Sequence, residues 1–507
     1  MQGTTYEHGW NKRRLGLAGL ILAAAAALRL AALPRRWLWY DELLSANFAA
    51  HGLSETLLNV LRFDVHPPLY YLQLSLWMTF GKSDAWLMAN SVFWSLVAIV
   101  LLLVLAGRRH GAVVGLWAAA LLALSPAALA YADQVRMYPF IAALMILAWD
   151  AQERWLAEDR PLIALVLVVT QLLVAYSHAV GVLMLSGCVL MSGLRLLSRR
   201  DLPRLWRWIA LESLVLALSA PALLIGTVHE VSHTTVPHPS ALAATWVFLS
   251  TGAPHLGGGH LVLAIIFLGA LVVLAWTTPA LRLDMVALVA GPLAVAAAIS
   301  YILKPVWLDR VFVPMIPLMA LVLARGIAAP VAVRARTIAG AALVGAWLLI
   351  AVADPTWRPR GDGYRPAAQQ LRASIRPGDV LATRDQLGFW ALMWYFEGPD
   401  WGRPLDDHIN NPRWAALVRK LPAPLEARLA SQRQIHAPGG AQARLLAPDE
   451  PLPEVARTLY LTAGAASDLP VQAPGRSLAD QTQSPPVTVQ RWIKGPSPRA
   501  APSDHRP

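Results

Sequence analysis

LGLAGLILAAAAALRLAAL, Leu15–Leu33, runs almost directly into LWYDELLSANFAAHG, Leu38–Gly52. The first stretch is apolar and long enough to cross the hydrocarbon of a bilayer. The second places two adjacent carboxylates, Asp41 and Glu42, at the membrane edge. No small-residue cleavage site follows the apolar run, so it reads as a first span and not as a cleaved signal. The same pattern recurs down the chain, at 85–106, 112–131, 138–151, 161–177, 179–194, 209–227, 261–277, 285–303, 311–329 and 337–353. The expected architecture is a polytopic all-α membrane protein of about eleven spans.

Composition agrees. Of 507 residues, 56% are hydrophobic and 15% charged, against about a quarter charged in an average soluble domain. Residues 1–353 form the membrane half, with the acidic pair in a long loop, 35–83. Residues 354–493 have ordinary soluble composition and read as a small α/β or α+β domain, with GDVLATR (Gly378–Arg384) as a strand and NPRWAALVRKL (Asn411–Leu421) as a helix. The Pro-rich end, 494–507, reads as disordered. Cys188 is the single cysteine, so one chain can form no internal disulfide.

Charge sets the sidedness. The net charge is +12, and much of it falls in alternate loops: Lys12–Arg14, GRRHG at Gly107–Gly111, RLLSRRDLPRLWR at Arg195–Arg207 and VRAR at Val333–Arg336. That is the positive-inside pattern of loops facing the cytoplasm, so nucleic acid is not an expected partner. PPLYYLQLSLWMTFG, Pro67–Gly81, is too short to span, and counting it as a span would turn the basic loops outward. It reads as a helix at the outer interface, where Tyr70, Tyr71 and Trp77 are at home. The outer face then holds loop 35–83, Tyr131–Pro139, His178, Val228–His260, Lys304–Arg310 and the C-terminal domain.

The chemistry-bearing residues gather on that face. Asp41 or Glu42 could serve as a general base toward a hydroxyl, or hold a divalent cation. Adjacent helical residues point about 100° apart, so the two need not share one role. In FDVHPPLYY, Phe63–Tyr71, Asp64 and His66 precede a rigid double proline. DQVRMYPF, Asp133–Phe140, sets Arg136 and Tyr138 at a membrane entry, and KPVWLDRVFVP does the same for Lys304, Asp309 and Arg310. Two cationic sites outside run against the positive-inside trend and point to an anionic ligand. HEVSH, His229–His233, matches the zinc-protease pattern with His229, Glu230 and His233. Thr234, Thr235 and Pro237 leave it little helix, and no third ligand stands out.

Taken together, LWYDELLSANFAA, HPPLYYLQLSLW, DQVRMYPF and WLDRVFVPMIPLMAL resemble the GT-C membrane glycosyltransferases, in particular the glycosyltransferase 39-like group of protein O-mannosyltransferases and aminoarabinose transferases. The resemblance covers roughly residues 15–330 and lies in the order and spacing of the four elements. It implies a polyprenyl-phosphate-linked sugar donor and an envelope lipid, glycan or protein acceptor. It further implies inversion at the sugar carbon with Asp41 as base and Glu42 in support. Arg136, Tyr138 and Arg310, with Lys304 and His66, would hold the donor phosphate, while Asp64, Tyr70 and His178 would contact substrate. A divalent metal stays open, since some relatives use one beside the acidic loop. Group members commonly carry an aromatic residue or Gly where Val311 stands and a Tyr after the Arg. Here Phe312 lies one residue later. The activated sugar would arrive on lipid, and no nucleotide-binding glycine loop is present in the sequence. Rival readings are a lipid-linked-sugar flippase or transporter, an HExxH metalloprotease, and a non-catalytic envelope subunit. Ala-, Arg- and Pro-rich usage points to a GC-rich bacterial genome and hence the inner (plasma) membrane, with the C-terminal domain extracytoplasmic.

Overall fold

The computed structural model describes residues 9–31, 33–228, 234, 236–253, 258–330, 332–353, 361–399, 434–437, 441–446, 451–453, 458–463, 473 and 476–494. His229–His233, the Asn411–Leu421 segment and the tail beyond 494 lie outside them. The chain divides into two compact units. One comprises Met1–Arg35, Leu57–Trp77 and Ala85–Arg358. The other comprises Arg36–Thr56, Met78–Asp84 and Pro359–Pro507. Two pieces of the acidic loop thus belong to the same unit as the C-terminal region.

The helices in chain order are α1 (Lys12–Leu30), α2 (Tyr40–Ala49), α3 (Leu53–Phe63), α4 (Leu69–Met78), α5 (Asp84–His110), α6 (Ala112–Leu124), α7 (Pro126–Ala130), α8 (Tyr138–Ala157), α9 (Pro161–Ala175), α10 (Gly181–Arg199), α11 (Leu202–Leu218), α12 (Ala220–Val228), α13 (Pro239–Thr251) and α14 (Gly258–Thr277). They continue with α15 (Arg282–Met285), a π-helical turn over Val286–Ala290, α16 (Gly291–Ile302), a 3₁₀ segment Asp309–Met315, α17 (Ile316–Ile327) and α18 (Val333–Ala353).

Five described helical rods are long and apolar enough to cross a membrane: Asp84–His110, Gly181–Arg199, Arg282–Ile302, Asp309–Ile327 and Val333–Val352. Ala112–Leu124, Pro161–Ala175 and Gly258–Leu274 are shorter apolar helices. The chain is an integral membrane protein, and a helix covers each expected span. The span expected at 209–227 begins earlier, at Leu202, where the Asp201 side chain accepts the Arg204 N–H, and it breaks at Ser219 before Pro221. Asp309–Ile327 lies at the centre of its unit, 89% buried, whereas Val333–Val352 is only 22% buried. The short α4 cannot span a bilayer. It is packed on more than one side, with Tyr70, Tyr71, Leu74 and Ser75 all buried.

Charges buried in this unit are paired, as a low dielectric demands. Arg29, inside the first apolar run, donates to Ser95 Oγ (2.8 Å) and to the Ala123 carbonyl (3.0 Å). At the other end of the helices, under the basic loops, Asp284 is 1% exposed and paired with both Arg195 (2.6 Å) and Arg325. Arg195 also meets Glu153 at 2.5 Å.

The second unit holds β1 (Val380–Thr383), β2 (Gln434–Ala437), β3 (Ala441–Leu445), β4 (Thr458–Ala463), β5 (Arg476–Ser484) and β6 (Val487–Lys494), with α19 (Tyr364–Ser374) and α20 (Gln386–Phe396). The sheet order is β2-β3-β1-β4-β6-β5. β1 runs parallel to β3 and β4, and the remaining pairs are antiparallel. Val380, Ala382, Leu459, Leu461 and Trp492 form its apolar core. β1 falls on the expected GDVLATR strand.

The Asp284 pairing makes a prediction. Asp284→Ala takes the carboxylate from Arg325 and leaves Arg195 with Glu153 alone, the two side chains being 19% and 18% exposed. The loss expected is about 3 kcal/mol, the lower end for breaking a buried pair, because both partners keep some water. Thermal unfolding of the purified protein in detergent measures it.

Candidate active site

Three connecting segments of the first unit meet around one guanidinium. After α3, the Asp64 carboxylate accepts the N–H groups of Val65 (2.6 Å) and His66 (3.2 Å), a local turn that aims the imidazole inward. Pro67 and Pro68 then start α4, whose Leu69 N–H bonds to the Tyr176 carbonyl at 3.1 Å. This ties the segment to the turn between α9 and α10. The third segment, Tyr131–Met137, is folded by Gln134, whose side chain bonds to the Ala130 carbonyl at 2.8 Å. It delivers Arg136, which is 7% exposed.

The Arg136 Nη2 lies 3.5 Å from His66 Nε2. His66 Nδ1 accepts the Ala179 N–H at 3.3 Å, and His178 Nδ1 accepts the Val180 N–H at 3.2 Å. The two rings sit 4.3 Å apart. Burial first, then the positive charges of Arg136 and Arg310, push the His66 imidazole well below its ordinary range. Burial, His66, Arg136 and Arg310 do the same to His178. Both rings are therefore neutral. The His66 ring and the Arg136 guanidinium lie side by side, a neutral ring next to a permanent cation that can only donate.

Asp64 is the nearby countercharge. Burial raises its carboxyl, while the Arg136 charge, the Tyr71 hydroxyl and the two backbone N–H groups oppose that rise. Tyr138 stacks near His178 (6.1 Å) and edge-on to Tyr131 (4.9 Å). Tyr70 packs edge-on to Tyr71 at 5.4 Å. Arg310 opens the Asp309–Met315 segment, whose Asp309 is bonded to Thr245. Phe312 is fully buried against Trp307, so the aromatic displaced by one residue serves packing.

The acidic pair belongs to the second unit and divides its work. Glu42 is fully buried, paired with Arg36, and accepts the Trp39 N–H at 3.0 Å, capping its own helix. Asp41 is half-buried on α2. Of the pair, Asp41 is the carboxylate with access to solvent. Among the described residues, no three of His, Cys, Asp and Glu gather as a metal-binding group. Asp41 and Glu42 alone supply only part of an oxygen-ligand shell.

No family model matches the chain, and none of the curated proteins matches it. Solved structures do. ArnT from Cupriavidus metallidurans in the apo state superposes with a TM-score of 0.57 at 14% identity, over 95% of this chain and 98% of that one. ArnT from the same organism bound to undecaprenyl phosphate gives 0.56 at 14% identity, over 94% and 98%. The chain has the GT-C fold. The archaeal oligosaccharyltransferase AglB from Archaeoglobus fulgidus, in complex with an inhibitory peptide and a dolichol-phosphate, scores lower, 0.47 at 11% identity over 89% of this chain and 69% of that one.

Within this GT-C chain the structure brings together Asp64, His66, Tyr70, Arg136, Tyr138 and His178, with Arg310 in electrostatic reach. Lys304 is half-exposed just past α16, with no side-chain contact to this cluster among the described residues. The sequence reading passed over two residues. Asp133 is quoted in DQVRMYPF without a role, yet it is 3% exposed in the segment that delivers Arg136. Asp362 bonds to the start of α2. Its signal was a lone Asp between two glycines, GDG at 361–363.

The neutral histidines set a pH dependence. A folded chain that refuses protons its unfolded form accepts is most stable above the ordinary histidine value of 6.5 and loses that contribution as pH falls below it. The thermal midpoint in detergent should therefore drop between about pH 7 and about pH 5, and a His66→Gln, His178→Gln double variant should drop less.

Proposed function

We propose that the protein transfers a sugar from a polyprenyl-phosphate donor to a hydroxyl of a cell-envelope lipid, glycan or protein. The observation that carries this reading is the buried cluster of Arg136 with the neutral rings of His66 and His178, on a chain with the GT-C fold. Such a set suits a phosphate that gains charge as its bond to sugar breaks. ArnT has been captured with undecaprenyl phosphate, a ligand of the same chemistry.

In the proposed step the acceptor oxygen attacks the anomeric carbon from the face opposite the phosphate. Its proton passes to Asp41, the C–O bond to phosphate breaks, and polyprenyl phosphate leaves with the electron pair. The sugar is inverted. Arg136 supplies the fixed cation, aided by Arg310 and Lys304. His66 and His178 supply hydrogen bonds without charge. Tyr138 and Tyr70 wall the cluster, and Asp64 orients His66 through its backbone. Glu42 supports Asp41 by fixing the start of α2. A divalent cation at Asp41 would supply Lewis-acid help to the acceptor or the phosphate. The membrane helices would shelter the lipid tail, with the chemistry on the outer face of a bacterial plasma membrane and the C-terminal unit outside.

Transfer of radiolabel from polyprenyl-phosphate sugars to a membrane extract tests the reading. Asp41→Asn should lower transfer by about 10²–10⁴-fold, the usual span for a general base, while leaving lipid-phosphate binding intact. Arg136→Ala should lower transfer by about 10²–10³-fold and weaken binding as well. Arg136→Lys should recover only part, because an ammonium lacks the planar pair of donors. Loss of neither activity nor binding in these variants would favour a flippase that uses other residues. Loss of transfer in His233→Ala would bring the His229–His233 motif into the reaction.

A further inference from the structure

Asp362 sits where two helices of the second unit begin. Its Oδ2 accepts the N–H of Tyr40, the first residue of α2, at 2.6 Å. Its Oδ1 accepts the N–H of Tyr364, the first residue of α19, at 3.3 Å. Its backbone carbonyl accepts the Trp37 indole N–H at 2.8 Å. One carboxylate therefore serves two helix N-termini at once, each of which favours negative charge. Tyr40 and Tyr364 stack directly beyond it, 5.9 Å apart.

The glycines on either side hold it there. Gly361 has φ +91°, and a Cβ would come within 2.4 Å of the Trp37 ring. At Gly363 a Cβ would fall 1.7 Å from the Ser484 carbonyl oxygen, and the Gly363 N–H bonds to the Pro485 carbonyl at 2.8 Å. Asp362 is thus clamped between the Trp37 indole and the turn joining β5 to β6. Any side chain at 361 or 363 pushes it away.

We propose that Asp362 is a positioning residue: its carboxylate joins the starts of α2 and α19 and so fixes the helix that carries Asp41. The proposal rests on the reading of Asp41 as base, but only for its consequence in transfer. The fixing of α2 can be read without it.

The charged and titratable groups around Asp362 are Asp41 and Tyr40 on α2, Tyr364 on α19, and Asp385 ahead of α20, with Arg365 over the Trp37 ring. The β5–β6 turn offers it backbone only. Burial, with a smaller push from Asp41, raises the Asp362 carboxyl to about 6, against the pull of the N–H groups at Tyr40 and Tyr364. The sign follows. A folded value above the ordinary 3.8 means that protonation between the two favours the folded chain. Acidification through about 6 therefore costs no stability through this group. It removes the negative charge that the two helix starts share and weakens their hold on the carboxyl.

The experiment is amide hydrogen exchange on the full chain in lipid nanodiscs, for the parent, Asp362→Asn and Asp362→Ala, with transfer measured in parallel and Asp41→Asn alongside. Protection of the amides from Tyr40 to Leu43 should fall by about 3- to 30-fold in Asp362→Ala, the effect of a lost cap. It should fall less in Asp362→Asn, and protection in β4 and β6 should stay unchanged. In the parent, α2 protection should weaken below about pH 6, and in Asp362→Asn that step should vanish. Unchanged α2 protection in Asp362→Ala overturns the proposal, and so does an equal loss across β4 and β6. If Asp41→Asn leaves transfer intact, the base assignment fails and exchange alone decides on Asp362. If Asp41→Asn abolishes transfer, full activity in Asp362→Ala overturns the positioning role.

Discussion

A buried guanidinium that cannot give up its proton governs the side-chain cluster of the first unit. Arg136 is 7% exposed. The desolvation of a buried ion costs several kcal/mol and must be offset by partners in good geometry. Neighbours that could add positive charge are kept from doing so. His66 and His178 receive backbone N–H groups on Nδ1 and remain neutral. The negative partner, Asp64, is held through its own turn and the Tyr71 hydroxyl. The result is a buried cation with one carboxylate and two neutral imidazoles around it.

The acidic pair obeys a different economy. Two neighbouring carboxylates on one short helix would repel if both faced the same medium. Burying Glu42 against Arg36 and the Trp39 N–H gives its charge two partners and stabilises the helix start. Asp41, turned about 100° away, keeps contact with solvent. A helix of ten residues has little stability of its own. Its order comes from packing in the second unit, where Phe48 meets Trp390 edge-on at 6.0 Å and Asn47 Nδ2 bonds to the Trp390 carbonyl at 3.1 Å.

What could be read from the sequence follows from which interactions are local. Apolar runs announce spans because the bilayer reads residues one segment at a time, so α5, α10 and α18 fall where hydropathy puts them. HPP and DQVRMYP carry their meaning in a few adjacent residues, and their side chains do converge. The setting of the His66 ring was not legible, since its Nδ1 accepts the backbone N–H of Ala179, 113 residues away. Nor was the structural use of Glu42: the 100° offset separates the two carboxylates but does not say which of them the fold buries. Asp362 acts across more than three hundred residues, and only the flanking glycines hinted at it.

Neutral hydrogen-bond donors beside one permanent cation make chemical sense for a reaction that creates phosphate charge. A protonated histidine would bind the phosphate more strongly before the bond breaks, and such uniform binding does nothing for the chemical step. In the proposed transfer, neutral His66 and His178 would avoid that cost, and their hydrogen bonds would strengthen as negative charge builds on the departing oxygen. Arg136 needs no titrating partner to stay charged. In the second unit, Asp362 holds the start of α2, the helix that carries Asp41.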